Sequence, residues 1–176
     1  ATERLVDAGY RAIGLDHFAK PTDPLAKAQD DGSLRRNFQG YSTHADCDLI
    51  GLGVSAIGRM GATYSQNAKT LEEYYDAIRQ GQFPVVRGLS LTRDDLVRRA
   101  VIMALMCQGR LEFESIELAH LVRMREYFKP EFEALAELET LGLVEVGEDA
   151  VQVTAVGWYF VRAVAMVFDR HLRADQ

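Results

Sequence analysis

Four side chains that bind metals fall within five positions, at His44, Asp46, Cys47 and Asp48. Imidazole, thiolate and carboxylate groups are all transition-metal ligands. A structural zinc site usually draws on two such groups, and the other histidines and Cys107 are isolated in the sequence. We therefore expect no metal ion and interpret this span as a polar surface turn.

A carboxylate lies next to an imidazole at Asp16 and His17, which are residue types suited to acid–base catalysis. The pair follows a short predicted strand over residues 11–15, and ligands of α/β barrels bind at the C-terminal ends of such strands. Adjacent residues on a strand point to opposite faces, so pairing of the two side chains cannot be assumed. We expect a structural role, and we assign no catalytic residue in this chain. The roles of Asp16, His17 and His44 stay open.

An apolar run rich in small residues covers residues 48–58 and follows a polar and aromatic segment at residues 36–41. This pattern predicts a strand buried on both faces. Gly51 and Gly53 would let another backbone or a ligand approach closely, and Gly58 and Gly61 would loosen the chain after the strand. The simplest interpretation is a core strand of an α/β protein whose glycines serve packing alone.

The order of these segments resembles the oxygen-independent coproporphyrinogen III oxidase family, which are radical S-adenosylmethionine enzymes of haem biosynthesis. The resemblance rests on residues 37–43 followed by 48–57, with residues 14–19 upstream and 91–95 downstream. It extends over nearly the whole chain. Several matching segments in the right order are much more specific than any one of them.

This resemblance implies an activity and a set of site residues. The family converts two propionate side chains of coproporphyrinogen III to vinyl groups, giving protoporphyrinogen IX, with S-adenosylmethionine and a [4Fe-4S] cluster as cofactors. Ile57 matches an isoleucine that touches S-adenosylmethionine in the family. Phe38 and Gln39 match a pair that borders the active site, with weaker support than Ile57. The three cysteines that bind the cluster in the family are absent here, so we expect a C-terminal fragment that is inactive alone.

The predicted fold combines α/β and α+β parts. Residues 1–88 are expected to hold the terminal βα elements of a partial radical-SAM (β/α) barrel, whose missing N-terminal portion would be a partner. Residues 89–176 are expected to form a helical, winged-helix-like domain. Its predicted elements are three helices from residue 92 to 141, strands at 143–146 and 151–154, and a long helix at 155–172. The cut sheet predicts self-association of the isolated fragment.

Composition limits the alternatives. The chain has 176 residues with 48% hydrophobic and 26% charged content, which is typical of globular domains. Two sparse cysteines favour reduced thiols and a cytoplasmic location, and no segment predicts a membrane span.

Charge argues against nucleic acid as a partner of the winged-helix-like half. Residues 1–90 carry ten Lys/Arg against eleven Asp/Glu, whereas residues 91–176 carry ten against fifteen. The third predicted helix holds Glu131, Glu133, Glu137 and Glu139, which would repel DNA phosphates. The remaining alternatives are a fragment of a radical-SAM haem chaperone and a non-catalytic winged-helix interaction module.

Overall fold

The computed structural model describes residues 2–44 and 47–173. The helices of this part are α1 (Thr2–Asp7), α2 (Pro24–Asp30), α3 (Leu71–Arg79), α4 (Arg93–Gln108), α5 (Phe113–His120), α6 (Met124–Tyr127), α7 (Lys129–Thr140), α8 (Val161–Met166) and α9 (Arg170–Arg173), with a 3-10 turn at Gly157–Phe160. The strands are β1 (Arg11–Gly14), β2 (His17–Ala19), β3 (Arg35–Asn37), β4 (Gly40–Ser42), β5 (Ile57–Met60), β6 (Thr63–Asn67), β7 (Val85–Ser90), β8 (Arg110–Glu112), β9 (Val144–Val146) and β10 (Ala150–Val153).

The strand pairs of the described residues are antiparallel. β1 pairs with β2 and β3 with β4, while two three-stranded sheets have the orders β5-β6-β7 and β8-β10-β9. The architecture is therefore a mixture of helices and sheets, as expected from the sequence. The parallel strands of a partial barrel are not seen among these pairs, so the barrel assignment stays a prediction.

The chain divides into two compact units. One takes in the described residues of segments 1–45 and 97–176, and the other those of segment 46–96. The first unit is held by one hydrophobic core to which both of its segments contribute, for example Ile13 and Leu34 from one and Leu105 and Phe168 from the other. The sequence predicts a domain boundary after residue 88, and this boundary stays a prediction. In the structure, the contacts group segments 1–45 and 97–176 in one unit.

Local signals explain where several helices begin. The Asp23 side chain accepts a hydrogen bond from the Leu25 amide at 2.8 Å, and Pro24 occupies the first helical position of α2. Before α4, the Thr92 amide donates to Asp95 at 2.8 Å and the Asp95 amide donates to Thr92 Oγ1 at 3.2 Å. This reciprocal capping has the pattern of a capping box in which Asp replaces the usual Glu.

The predicted long helix over residues 155–172 is wrong. The segment instead forms the 3-10 turn, α8 and α9. Thr154 Oγ1 accepts a hydrogen bond from the Gly157 amide at 2.9 Å, and the Gly157 backbone packs so tightly that an added Cβ would lie 1.8 Å from the Leu143 carbonyl oxygen. These tertiary contacts hold the first turn in a geometry that helix propensity alone does not reveal.

A buried ion pair joins α4 to α7. Arg98 Nη1 lies 2.9 Å from Glu131 Oε1, and the two side chains are only 16% and 6% exposed. The same Nη1 donates to the Phe168 carbonyl at 3.1 Å, and the guanidinium lies 5.2 Å from the centre of the Phe128 ring. Glu131 is therefore a structural residue, which corrects the expectation that it belongs to the acidic surface of α7.

Replacing Glu131 by Ala should destabilise the chain strongly, because it leaves the Arg98 charge buried without its carboxylate. We expect a loss of about 3–5 kcal/mol in the free energy of unfolding, measured by urea denaturation. Glu133→Ala, at an exposed position on the same helix, is the control and should cost less than about 0.5 kcal/mol. Equal losses for the two variants would contradict the assignment.

Candidate functional site

Phe38 and Gln39 form the two-residue turn that joins β3 to β4. Asn37 pairs with Gly40 across the hairpin, and the Asn37 side chain accepts a hydrogen bond from the Gln39 amide at 2.8 Å. The Phe38 side chain is 55% exposed and Gln39 is also exposed. The turn therefore presents an aromatic ring and an amide at the surface of the first unit.

A second hairpin packs against this one. The His17 ring meets the Tyr41 ring edge-on with 5.2 Å between centroids. Gly40 makes the approach possible, because a Cβ at that position would lie 2.7 Å from His17 Nε2. An Ala at residue 40 would therefore push the His17 imidazole away from the base of the Phe38–Gln39 turn.

Asp16 and His17, whose pairing the sequence left open, are joined in the structure. His17 Nδ1 lies 2.8 Å from Asp16 Oδ1. Leu15 has a positive φ of 49°, so Asp16 lies in a turn, where the alternation of strand side chains does not apply. Since a carboxylate only accepts, the hydrogen bond places a proton on His17 Nδ1.

Tyr41 anchors the hairpins to α4. Its hydroxyl donates to the Met106 carbonyl at 3.0 Å. An added Cβ on Gly14 would lie 2.2 Å from the Tyr41 hydroxyl oxygen, so glycine is needed at residue 14. Burial raises the pKa of Tyr41 to about 12 and that of the Cys107 thiol to about 11. Both groups are therefore neutral at physiological pH and serve packing rather than proton transfer.

Ile57 belongs to the second unit, where it begins β5 opposite Gln66. The continuous strand predicted over residues 48–58 is wrong. Leu49 forms an isolated bridge with Arg59, and residues 50–56 form a loop in which Ile50 and Leu52 are 72% and 84% exposed. An added Cβ on Gly51 would lie 2.9 Å from the Ile57 carbonyl carbon, so this glycine lets the loop pack directly against the start of β5.

The loop is held by Asn67, a buried polar residue that the sequence analysis missed. Its side-chain amide donates to the carbonyls of Gly51 and Gly53 at 3.0 and 2.9 Å. The Ser55 amide adds a bond to the Ala68 carbonyl at 2.7 Å. Asparagine after a predicted loop is a common surface residue, so only its buried position in the structure reveals this role.

The described side chains of the polar span at residues 44–48 are not arranged as the ligands of a metal ion. The His44 amide donates to Ser42 Oγ at 3.1 Å, and the Asp48 carboxylate accepts from the Gly61 amide at 2.7 Å. Asp46 lies outside the described residues. Among the residues that are described, no three His, Cys, Asp or Glu side chains converge as metal ligands would.

The chain is similar to known proteins over most of its length. Residues 91–160 match the family model of the HemN C-terminal domain. The oxygen-independent coproporphyrinogen III oxidase of Pseudomonas aeruginosa is 47% identical over 171 residues, which cover 97% of this chain and 37% of that protein. The oxidase of Thermostichus vulcanus is 45% identical over 172 residues, or 97% of this chain and 53% of that protein.

A solved structure agrees. It is described as coproporphyrinogen III oxidase (HemN) from Escherichia coli, a radical SAM enzyme, and it matches with a TM-score of 0.92 and 46% identity over 96% of this chain and 39% of its own. This chain is therefore similar to oxygen-independent coproporphyrinogen III oxidases over nearly its whole length, and it spans less than two thirds of the length of these relatives. The resemblance found in the sequence is thereby confirmed.

The segment that matches the HemN C-terminal domain has an acidic surface on α7. On α7, Glu133, Glu137 and Glu139 are exposed, whereas Glu131 is buried against Arg98. The nearby Arg125 lies over the Phe132 ring at 4.6 Å and donates to the Gly147 carbonyl. Within the described segments, no helix is both long and apolar enough to cross a bilayer.

Asn67→Ala should loosen the loop before Ile57, because two carbonyls lose their donor. We expect a loss of about 1–3 kcal/mol in stability and faster deuterium exchange at the Ser55 amide. Gln66→Ala is the control, since that side chain reaches only the Ser55 carbonyl at 3.4 Å. Unchanged exchange at Ser55 in Asn67→Ala would show that the loop does not depend on this side chain.

Tyr41→Phe should change the dependence of stability on pH. Up to pH 10 the wild type keeps its hydrogen bond to Met106 and should be the more stable protein. Between pH 10 and 12 the phenol ionises in the unfolded chain but not in the fold, where burial raises its pKa to about 12, so the wild type loses stability. The difference in urea unfolding between the two proteins should narrow over this range, and a constant difference would contradict the argument.

Proposed function

We propose that this chain is the C-terminal part of an oxygen-independent coproporphyrinogen III oxidase. The complete enzyme is an oxidoreductase of haem biosynthesis that converts coproporphyrinogen III to protoporphyrinogen IX. The observation that carries the proposal is the match to the Escherichia coli enzyme, at 46% identity and a TM-score of 0.92 over 96% of the chain. The relatives are longer, so the activity belongs to the whole protein.

In this proposal Ile57 contacts S-adenosylmethionine, which when bound supplies the radical that begins oxidation of the substrate. The residues of the second unit fit that cofactor. Ile57 is partly exposed beside a loop of backbone amides and carbonyls that Asn67 holds in place. An apolar side chain next to backbone polar groups suits the contacts expected for an adenine ring.

Phe38 and Gln39 would border the active site from the first unit. The Phe38 ring offers a flat apolar surface, and the Gln39 side chain offers both a donor and an acceptor. Their exposure in a hairpin turn supports such a contact, because neither side chain is needed to fill the core. The pairing of β3 with β4 would keep the turn in place while the side chains at its tip contact the ligand.

The [4Fe-4S] cluster does not fit the residues of this chain. The sequence holds only Cys47 and Cys107, and the latter is buried. We therefore propose that the cluster ligands lie in the portion of the relatives that this chain does not match, that the chain alone is inactive, and that no step of the reaction runs through its cysteines. Two free thiols also suit a reducing cytoplasm.

The finer architecture is likewise proposed. The order α4, β8, α5, α7, β9 and β10 with the sheet order β8-β10-β9 supports a winged-helix-like domain. Its exposed acidic α7 favours protein contact over DNA binding.

In the second unit β7 is an exposed edge strand, with Val85, Val86 and Leu89 on its surface, which supports self-association of the isolated chain.

Ile57→Asp in the full-length enzyme should weaken binding of S-adenosylmethionine about tenfold or more, because a carboxylate replaces an apolar contact. Equilibrium dialysis with labelled cofactor measures the effect. Met60→Asp is the control, since Met60 lies on the same strand with its side chain exposed. A folded Ile57→Asp enzyme with wild-type affinity would remove Ile57 from the site.

A further inference from the structure

Two adjacent arginines in β3 differ in what they bind. Arg35 Nη1 donates to the carbonyls of Gly32 and Leu34 at 3.1 and 2.9 Å. Arg36 Nε is buried and has no hydrogen-bond partner within the described residues. A buried donor without an acceptor destabilises the fold, so an unused one calls for an explanation.

Arg36 is fixed in position without being neutralised. It pairs with Tyr41 across the β3–β4 hairpin, and its guanidinium carbon lies 5.8 Å from the centre of the Tyr41 ring. The residue as a whole is half-buried, whereas its Nε is fully buried. The aromatic ring holds the cation by its face and leaves the N–H groups for another partner.

Three carboxylates of the first unit that lie near the β3–β4 hairpin in sequence already have partners. Asp16 bonds to His17 at 2.8 Å, Asp30 bonds to Arg11 at 2.6 Å, and Asp31 accepts from the Ser33 amide at 2.9 Å. Hydrogen bonds from its own backbone and from His17 lower the pKa of Asp16, and Arg36 adds a smaller contribution. Asp16 therefore feels the charge of Arg36 while its own hydrogen bond goes to His17.

The position of Arg36 connects it to the candidate site. It lies two residues before Phe38, in the hairpin whose turn carries Phe38 and Gln39. The hairpin is held from beneath by Tyr41 and by the contact of His17 with Gly40. A ligand held at this turn would therefore lie close to Arg36 along the hairpin.

We propose that Arg36 binds a carboxylate of the ligand that occupies the Phe38–Gln39 turn. A guanidinium presents paired N–H groups that match the two oxygens of a carboxylate, and a small rotation of the group gives Nε the same partner. The inference rests on the proposed function, which supplies two sources of that carboxylate. One is a propionate of the porphyrinogen, and the other is the methionyl carboxylate of S-adenosylmethionine.

The test uses the full-length enzyme with Arg36→Gln, Arg36→Lys and the matched control Arg35→Gln. Coproporphyrin III, followed by its fluorescence, is the probe for the porphyrin carboxylates, and labelled S-adenosylmethionine in equilibrium dialysis is the other. Arg36→Gln should weaken one of the two about tenfold or more, and Arg36→Lys should weaken it less. If the porphyrin is affected, KM for coproporphyrinogen III should rise with little change in kcat.

Thermal unfolding separates binding from structure. Arg36→Gln should lower the unfolding temperature only slightly, since it removes the contact with the Tyr41 ring but no hydrogen bond of the described residues, whereas Arg35→Gln should lower the temperature more and leave both affinities within about twofold. Wild-type affinity of Arg36→Gln for both probes, or weaker binding only together with unfolding, would overturn the inference. A wild-type enzyme that neither binds coproporphyrin III nor oxidises the porphyrinogen would sink the proposed function itself.

Discussion

The first unit depends on the burial of one phenol. Tyr41 reaches from β4 to the Met106 carbonyl in α4, and it brings the N-terminal hairpins onto the core of the C-terminal helices. The contact requires glycine at residues 14 and 40, since a Cβ at either would collide with Tyr41 or with His17. The absence of a side chain at these two glycines thus allows Tyr41 to join segments that are 65 residues apart.

This junction also determines which polar groups remain at the surface. Because Tyr41 and Gly40 take the inner side of the hairpin, Phe38 and Gln39 are presented outward at its turn. His17 is directed onto Gly40 and holds Asp16, so the dyad braces the hairpin. Arg36 lies over the Tyr41 ring and has its charge left available. A packing requirement therefore generates a cationic and aromatic surface of defined geometry.

Sequence patterns predicted the elements whose signals are local. The helix expected to open at residue 92 is α4, which begins with the reciprocal hydrogen bonds of Thr92 and Asp95. The hairpin of β9 and β10 was likewise expected and is confirmed. In each case the residues that specify the element lie within a few positions of it.

Patterns failed where distant residues decide the backbone. The apolar run at residues 48–58 has the composition of a buried strand, yet the Asn67 side chain accommodates the Gly51 and Gly53 carbonyls in a loop. The final helix is interrupted because Gly157 packs on Leu143. Neither partner is visible in a short window of sequence, since Asn67 comes from β6 and Leu143 from the segment before β9.

The candidate site shows the same limit at the level of single residues. Ile57, Phe38 and Gln39 are proposed from a resemblance between sequences, which points to side chains that would meet a ligand but not to those that hold them. Arg35 and Arg36 are neighbours of the same type, and no pattern separates them. Arg35 donates its hydrogen bonds to the Gly32 and Leu34 carbonyls within the fold. Arg36 Nε has no acceptor among the described residues, so it remains a donor for a ligand. A binding residue is distinguished from a structural one by what its polar atoms lack, and only coordinates reveal that difference.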